Sequence, residues 1–149
     1  MMPIILNRDV LTRIAEATIG LVALTLGGLI YIRYRSENLL MFDWFDNLNL
    51  SNFIGGLRAS TDGASLYGWI KYNMPAGLWL FSYMFVIDSV WGKDRNICYM
   101  CFLYVLPILA IISELMQLFK LLPGTFDIMD ILSYSLAILI FLIIKKLYV

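Results

Sequence analysis

The chain has 149 residues, 61% of them hydrophobic, 15% charged, with 11 basic and 11 acidic side chains; a soluble domain is nearer half apolar and a quarter charged. The neutral balance excludes the basic surface that nucleic-acid binding needs. The absence of histidine excludes a Ser-His-Asp triad, histidine acid–base chemistry and histidine metal ligands.

The apolar excess falls in four long blocks. The expected fold is therefore all-α: a single polytopic membrane bundle of four transmembrane helices, spanning about 14–32, 75–91, 97–119 and 126–144, with one long, partly interfacial loop at 33–74. The first span follows Arg8 and Arg13 and is closed by Arg33 and Arg35. No small-residue cleavage site follows it, so it reads as an uncleaved signal-anchor helix. Glu16 sits at its membrane edge, three residues from Arg13, and reads as a snorkelling or paired end charge. Gly20, Ala23 and Gly27 fall near one face and are candidates for close helix packing, with a partner in this chain or in another subunit.

In the loop, residues 39–50 read LLMFDWFDNLNL, a composition suited to a short helix lying in the membrane interface, with Ser36 as its N-cap. A turn is expected at Ser60-Thr61-Asp62-Gly63, and a second semi-apolar stretch at 66–72. A loop of this length is expected to fold against the bundle, where it could cover a site or bind a partner.

The second span starts at Pro75, which suits a first helical turn. Asp88 lies near its end, ahead of Lys93 and Arg95, so pairing with those cations is expected before a proton or ion site. The third span contains Pro107, a predicted kink, and Cys98 and Cys101, whose C-x-x-C spacing reads as two small packing residues because no soluble redox fold surrounds it. The fourth span stops at Lys145-Lys146. Basic residues divide six against five between the two sides, but the long loop dilutes its own charges and Lys145-Lys146 suit the cytoplasm, so both termini are expected inside, in a multi-pass protein of the plasma (inner) membrane.

The hairpin between the third and fourth spans concentrates the unusual chemistry. Glu114 and Gln117 are three apart and share a helix face, as do Asp127 and Asp130. At about 1.5 Å per residue, Glu114 lies about 10 Å below the turn and Asp130 about 6 Å below it, so the four side chains can converge near one membrane surface. Asp127 could instead be an N-cap with Asp130 as an imperfect capping-box partner. Glu114 has no such account, because its charge opposes the helix dipole. It needs a proton, a cation or a basic partner. Polar packing and a ligand-binding site both remain open from sequence.

Glu114-x-x-Gln117, a short turn and Asp127-x-x-Asp130 entering the next helix resemble the signature of the VanZ-like membrane proteins. The resemblance covers the last 35 or so residues, with a weaker echo at Met74-Pro75. Ala76, Thr125, Tyr134 and Ala137 stand where that family often has Asp, Arg, Asn and Gly, so no role that depends on those residues carries over. The family takes its name from a protein linked to teicoplanin resistance. The resemblance thus implies a cell-envelope setting and supplies no reaction.

The expected function is binding of a lipid, ion or antibiotic at the carboxylate cluster, with membrane lipid as a partner. An anionic lipid head would need a divalent cation to bridge it, the only cofactor the sequence suggests. The alternative is a membrane-anchoring or interaction subunit, as a homo-oligomer or with a protein partner, using the Gly20/Ala23/Gly27 face and the aromatic second span. Catalysis ranks below both, because no nucleophile–base arrangement can be named.

Overall fold

The computed structural model describes residues 8–59 and 67–148. Every regular element among them is helical: α1 (Arg8–Tyr34), α2 (Leu40–Asn47), α3 (Ser51–Ala59), α4 (Gly68–Tyr72), α5 (Met74–Trp91), α6 (Ile97–Leu118) and α7 (Ile128–Tyr148). Three segments are long and apolar enough to cross a membrane: Asp9–Tyr34, Ile97–Leu118 and Ile128–Leu147. The stretch expected as a further span at 75–91 is helix α5, but Pro75, Gly77, Ser82, Asp88 and Ser89 dilute its apolarity. All five of these residues are buried, because α5 is the helix the others pack on. It contacts α1, α6 and α7.

The core joins α5, α6 and α7. Met84 and Phe85 meet Tyr99, Leu103 and Phe141, and the Phe85 and Phe141 rings stack edge-to-face at 5.1 Å. The outside is apolar as well: Leu21, Ile108 and Leu139 are more than half exposed. Apolar exposure on three separate helices is what a lipid-facing surface presents.

On α1 the buried positions Glu16, Gly20, Ala23 and Gly27 recur at helical spacing and form one stripe. That stripe lies on α5. A Cβ on Gly20 would come within 2.9 Å of Val86 Cγ2 and 3.1 Å of the Ser82 carbonyl, and one on Gly27 within 2.8 Å of the Trp79 ring. The small-residue face is thus occupied inside this chain.

Helix ends follow local chemistry. Pro75 stands in the first turn of α5. Gly92, at φ 60°, ends it, with its N–H donating 2.9 Å to the Asp88 carbonyl. Asn96 caps α6, its side chain accepting 2.9 Å from the Tyr99 N–H. Helix α6 runs through the buried Pro107 without interruption. It closes in a Schellman turn with Lys120 at φ 57°, where Lys120 N–H reaches the Gln117 carbonyl at 3.0 Å and Leu121 N–H the Met116 carbonyl at 2.8 Å.

The loop differs in detail from its sequence reading. Helix α2 starts at Leu40 and takes no side-chain cap; Ser36 Oγ instead accepts from the nearby Asn38 N–H at 3.3 Å. A further helix, α3, follows at once. Leu40, Trp44, Leu48 and Phe53 are exposed while Phe42 and Ile54 are buried, so the pair keeps apolar side chains outward, as an interfacial segment does. Arg58 stacks over Phe42 at 5.2 Å and pairs with Glu37 at 3.0 Å. The turn expected at Ser60-Thr61-Asp62-Gly63, and Leu66, lie outside the described residues. Cys98 and Cys101 are free thiols on the exposed side of α6, not packing residues, because the face they share points away from α5 and α7.

Candidate functional site

Helices α1, α5, α6 and α7 alternate in direction, so each end of the bundle gathers residues distant in sequence. Both ends carry buried charge, and the two differ in how that charge is compensated.

At the end holding the α5–α6 connection, Asp88 is fully buried. Arg95 and Lys145 both pair with it, Lys145 Nζ lying 2.5 Å from Oδ2. The Tyr99 hydroxyl donates to Oδ1 at 2.7 Å. Lys145 also pairs with the buried Glu16. Two carboxylates and two cations thus balance within one network that ties α1, α5, α6 and α7 together. Burial works against the Arg95 guanidinium, but the adjoining Asp88 outweighs it and holds its pKa above the ordinary arginine value.

Glu16 is a paired end charge and Asp88 pairs with a following cation, as expected, but the partners differ in detail. Glu16 pairs with Lys145, while Arg13 donates to the carbonyls of Ser89 at 2.7 Å and Val90 at 2.6 Å. Those carbonyls belong to the last turn of α5 and lack helical partners, so they draw the guanidinium away from Glu16. Asp88 takes Arg95 but not Lys93, which is exposed and pairs with Asp9 at 2.6 Å. Lys145 was invisible as a partner because it is 57 residues away and reads from sequence only as a stop signal.

At the opposite end, Glu114, Asp127 and Asp130 come together around a residue the sequence did not single out. Asn73 is buried between α4 and α5. Its amide donates 2.8 Å to Asp127 Oδ2 and 3.0 Å to Asp130 Oδ1. Glu114, also buried, accepts from the Asp127 N–H at 3.3 Å. Asp127 is indeed the N-cap of α7, its Oδ1 accepting from the Met129 N–H at 2.9 Å. Asp130 turns to Asn73 and forms no capping box. Gln117 stands apart: its amide packs on the turn, where a Cβ on Gly124 would lie 2.7 Å from Oε1. Gly124, at φ 136°, suits both the backbone and that close approach.

Among the described residues, no ion pair reaches Glu114, Asp127 or Asp130. Arg35, at the end of α1, is the cation whose field reaches Asp130. Its guanidinium stacks on Tyr31 and Tyr72 at 5.4 and 5.6 Å and donates to the Tyr72 carbonyl at 2.9 Å. Nor, among the described residues, does any group of three or more Cys, Asp or Glu side chains have the arrangement to hold a metal ion. The three carboxylates are instead satisfied by neutral donors. Asn73 had one signal in the sequence, a lone polar residue directly before a Pro-started apolar helix.

The polar end continues into an apolar groove. Trp69 Nε1 donates 3.1 Å to Ser133 Oγ, and both residues line a groove of about 250 Å³ between α5 and α7. No family model, curated protein or solved structure matches this chain.

Proposed function

We propose that this chain is a small VanZ-like integral membrane protein of the cell envelope that binds a polar ligand at the carboxylate end of its bundle. In this reading α5 is a fourth membrane span, enclosed by the other three; its 18 residues reach about 27 Å at helical rise. Both termini are cytoplasmic, and the Glu114/Asp127/Asp130/Asn73 cluster faces outward, at the end of the bundle from which the loop helices α2 and α3 leave α1.

One observation carries the reading: the two buried charge clusters are compensated differently. The Asp88 network neutralises itself with two cations, as a structural cluster must. The other end holds three carboxylates with neutral donors and no ion pair among the described residues. Charge left uncompensated near hydrocarbon is costly and is characteristic of a functional site. The ligand that complements it brings positive charge or several hydrogen donors, as a lipid head, a cation or a cationic antibiotic does. A bridging divalent ion is less favoured, since no three-carboxylate cage is present among the described residues. The subunit reading is less favoured, because Gly20 and Gly27, part of the surface it would use, are already packed on α5.

The test is native mass spectrometry of the wild-type protein and the Glu114→Gln and Asp130→Asn variants, purified in parallel. A small ligand retained by wild type and lost from both variants, at equal folded yield, supports the site. Identical mass profiles for all three proteins refute it.

A further inference from the structure

The carboxylate cluster and the apolar groove form one continuous amphiphilic surface. On α7, Asp130, Ser133, Ala137 and Ile140 are spaced by three, four and three residues and share one face. The last three line the groove, and the first belongs to the cluster. On α5, Met74, Leu78 and Phe81 line the opposite wall, and Asn73, one residue before Met74, holds the two aspartates. Thus each wall runs from an acidic or amide residue at the membrane surface to hydrocarbon deeper in. The groove opens sideways, since Leu136 and Ile140 on its rim are exposed. Apart from Trp69 and Ser133 its lining is apolar, a surface that suits an acyl chain better than ordered water.

We infer that this groove holds the acyl chain of a membrane lipid whose zwitterionic headgroup carries a primary ammonium and a phosphate, as in phosphatidylethanolamine. The inference rests on the ligand-site reading above and names the ligand class. The headgroup follows from charge complementarity. The single amide of Asn73 reaches Asp127 and Asp130 together, so the two carboxylates are spaced for one nitrogen donor, and both are only partly buried. An ammonium brings three donors and a positive charge to that spacing. On the same side stands Arg35, whose buried Nε makes no hydrogen bond among the described residues and whose guanidinium is held at the carbonyl of Tyr72, the residue before Asn73. A phosphate attached two carbons from the ammonium suits a guanidinium in that position. A phosphatidylglycerol head would set a negative charge against the aspartates with no ammonium to offset it. A phosphatidylcholine head would keep the charge but lose every N–H donor.

The test titrates the full-length protein in detergent with phosphatidylethanolamine, phosphatidylcholine and phosphatidylglycerol of identical chains, and counts bound lipid by native mass spectrometry. Wild type is expected to hold one phosphatidylethanolamine at least tenfold more tightly than either other lipid. Ala137→Phe, which fills the groove, is expected to reduce that binding at least tenfold. Ile140→Trp, at the exposed rim, is the second variant should the buried substitution fail to fold. Asp127→Asn combined with Asp130→Asn is expected to erase the preference over phosphatidylcholine while lipid is still bound. Equal retention of the three lipids, or a preference that survives both groove variants, overturns the inference. If a different small ligand is then found in wild type and lost from Glu114→Gln, only the lipid assignment falls; if none is found, the ligand site falls with it.

Discussion

Asp88→Asn removes one charge from the centre of the balanced network and keeps the side-chain shape. The remaining charges are Glu16, Lys145 and Arg95, an uncompensated cation inside the bundle. Breaking a buried pair in this way costs about 3–5 kcal/mol. The two lost pairs do not count equally. The Arg95 side chain is 40% exposed, so its head can turn to water or lipid phosphate, and its pair is worth no more than about 1 kcal/mol. The Lys145 side chain is 16% exposed and Asp88 fully buried, so this pair carries most of the loss. The expected destabilisation is therefore near the lower bound, about 3 kcal/mol, or roughly a hundredfold in the unfolding constant. Reversible unfolding in bicelles by steric trapping would measure it. A cycle with Lys145→Met adds a check, since the double variant should cost less than the sum of the singles by more than about 1 kcal/mol. A loss below about 1 kcal/mol for Asp88→Asn, or strict additivity, would refute the assignment of this network as the structural charge cluster.

The opposite end should respond in the opposite direction. Glu114→Gln and Asp130→Asn each remove like-charge repulsion without breaking an ion pair, so the same assay should show stability unchanged or raised by up to about 1 kcal/mol; a loss above about 2 kcal/mol would make the cluster structural. Gly77→Ala places a Cβ 2.9 Å from the Ser133 carbonyl, whereas one on Gly28 meets nothing within 4 Å. Gly77→Ala should thus cost about 1–3 kcal/mol and Gly28→Ala should gain about 0.5–1 kcal/mol; unfolding midpoints that reverse this order would contradict the α5–α7 packing. For orientation, single cysteines introduced at Leu122 and Lys93 in a background lacking Cys98 and Cys101 should label oppositely. An impermeant maleimide applied to intact cells should reach position 122 and spare position 93, and the reverse pattern would invert the topology.

What the sequence revealed depended on how local the determining physics was. The hairpin of α6 and α7 is fixed by short-range signals: two apolar runs, a Pro-Gly turn, and carboxylates three residues apart. From these, the meeting of Glu114 with Asp127 and Asp130 is predictable by helix geometry alone. The stripe of Gly20, Ala23 and Gly27 was visible for the same reason, but its partner was not, since nothing in a single helix says which other helix lies on it. Long-range charge assignments failed where several cations were available. Arg13 is three residues from Glu16, yet the free carbonyls at the end of α5 hold it, and Glu16 takes a lysine from the far end of the chain. Gln117 shares a helix face with Glu114, but the closeness of Gly124 draws it to the turn. Helix α5 is likewise not among the three segments long and apolar enough to cross a membrane, although it contacts all three of them. A helix surrounded by protein can carry Gly, Ser and Asp that a lipid-facing helix cannot.

The placement of the two clusters bears on how a ligand would be accommodated. The balanced network fastens α5 to α7 at one end through Asp88 and Lys145, and the Phe85–Phe141 contact lies just inside it. Toward the other end the helices touch at Gly77 and Ser133, and the groove runs past that contact, from Trp69 and Met74 to Phe81 and Ile140. Substitutions in the network would therefore loosen α5 and α7 where no ligand sits, whereas substitutions around Asp130 change the surface a ligand meets and leave the fastening intact. A protein that needed its carboxylates only for folding would gain from a lysine or arginine beside Glu114, as Asp88 has two cations beside it. Arg35 instead stacks on Tyr31 and Tyr72 and pairs with neither aspartate among the described residues, so the cation nearest in the fold is not spent on neutralising them.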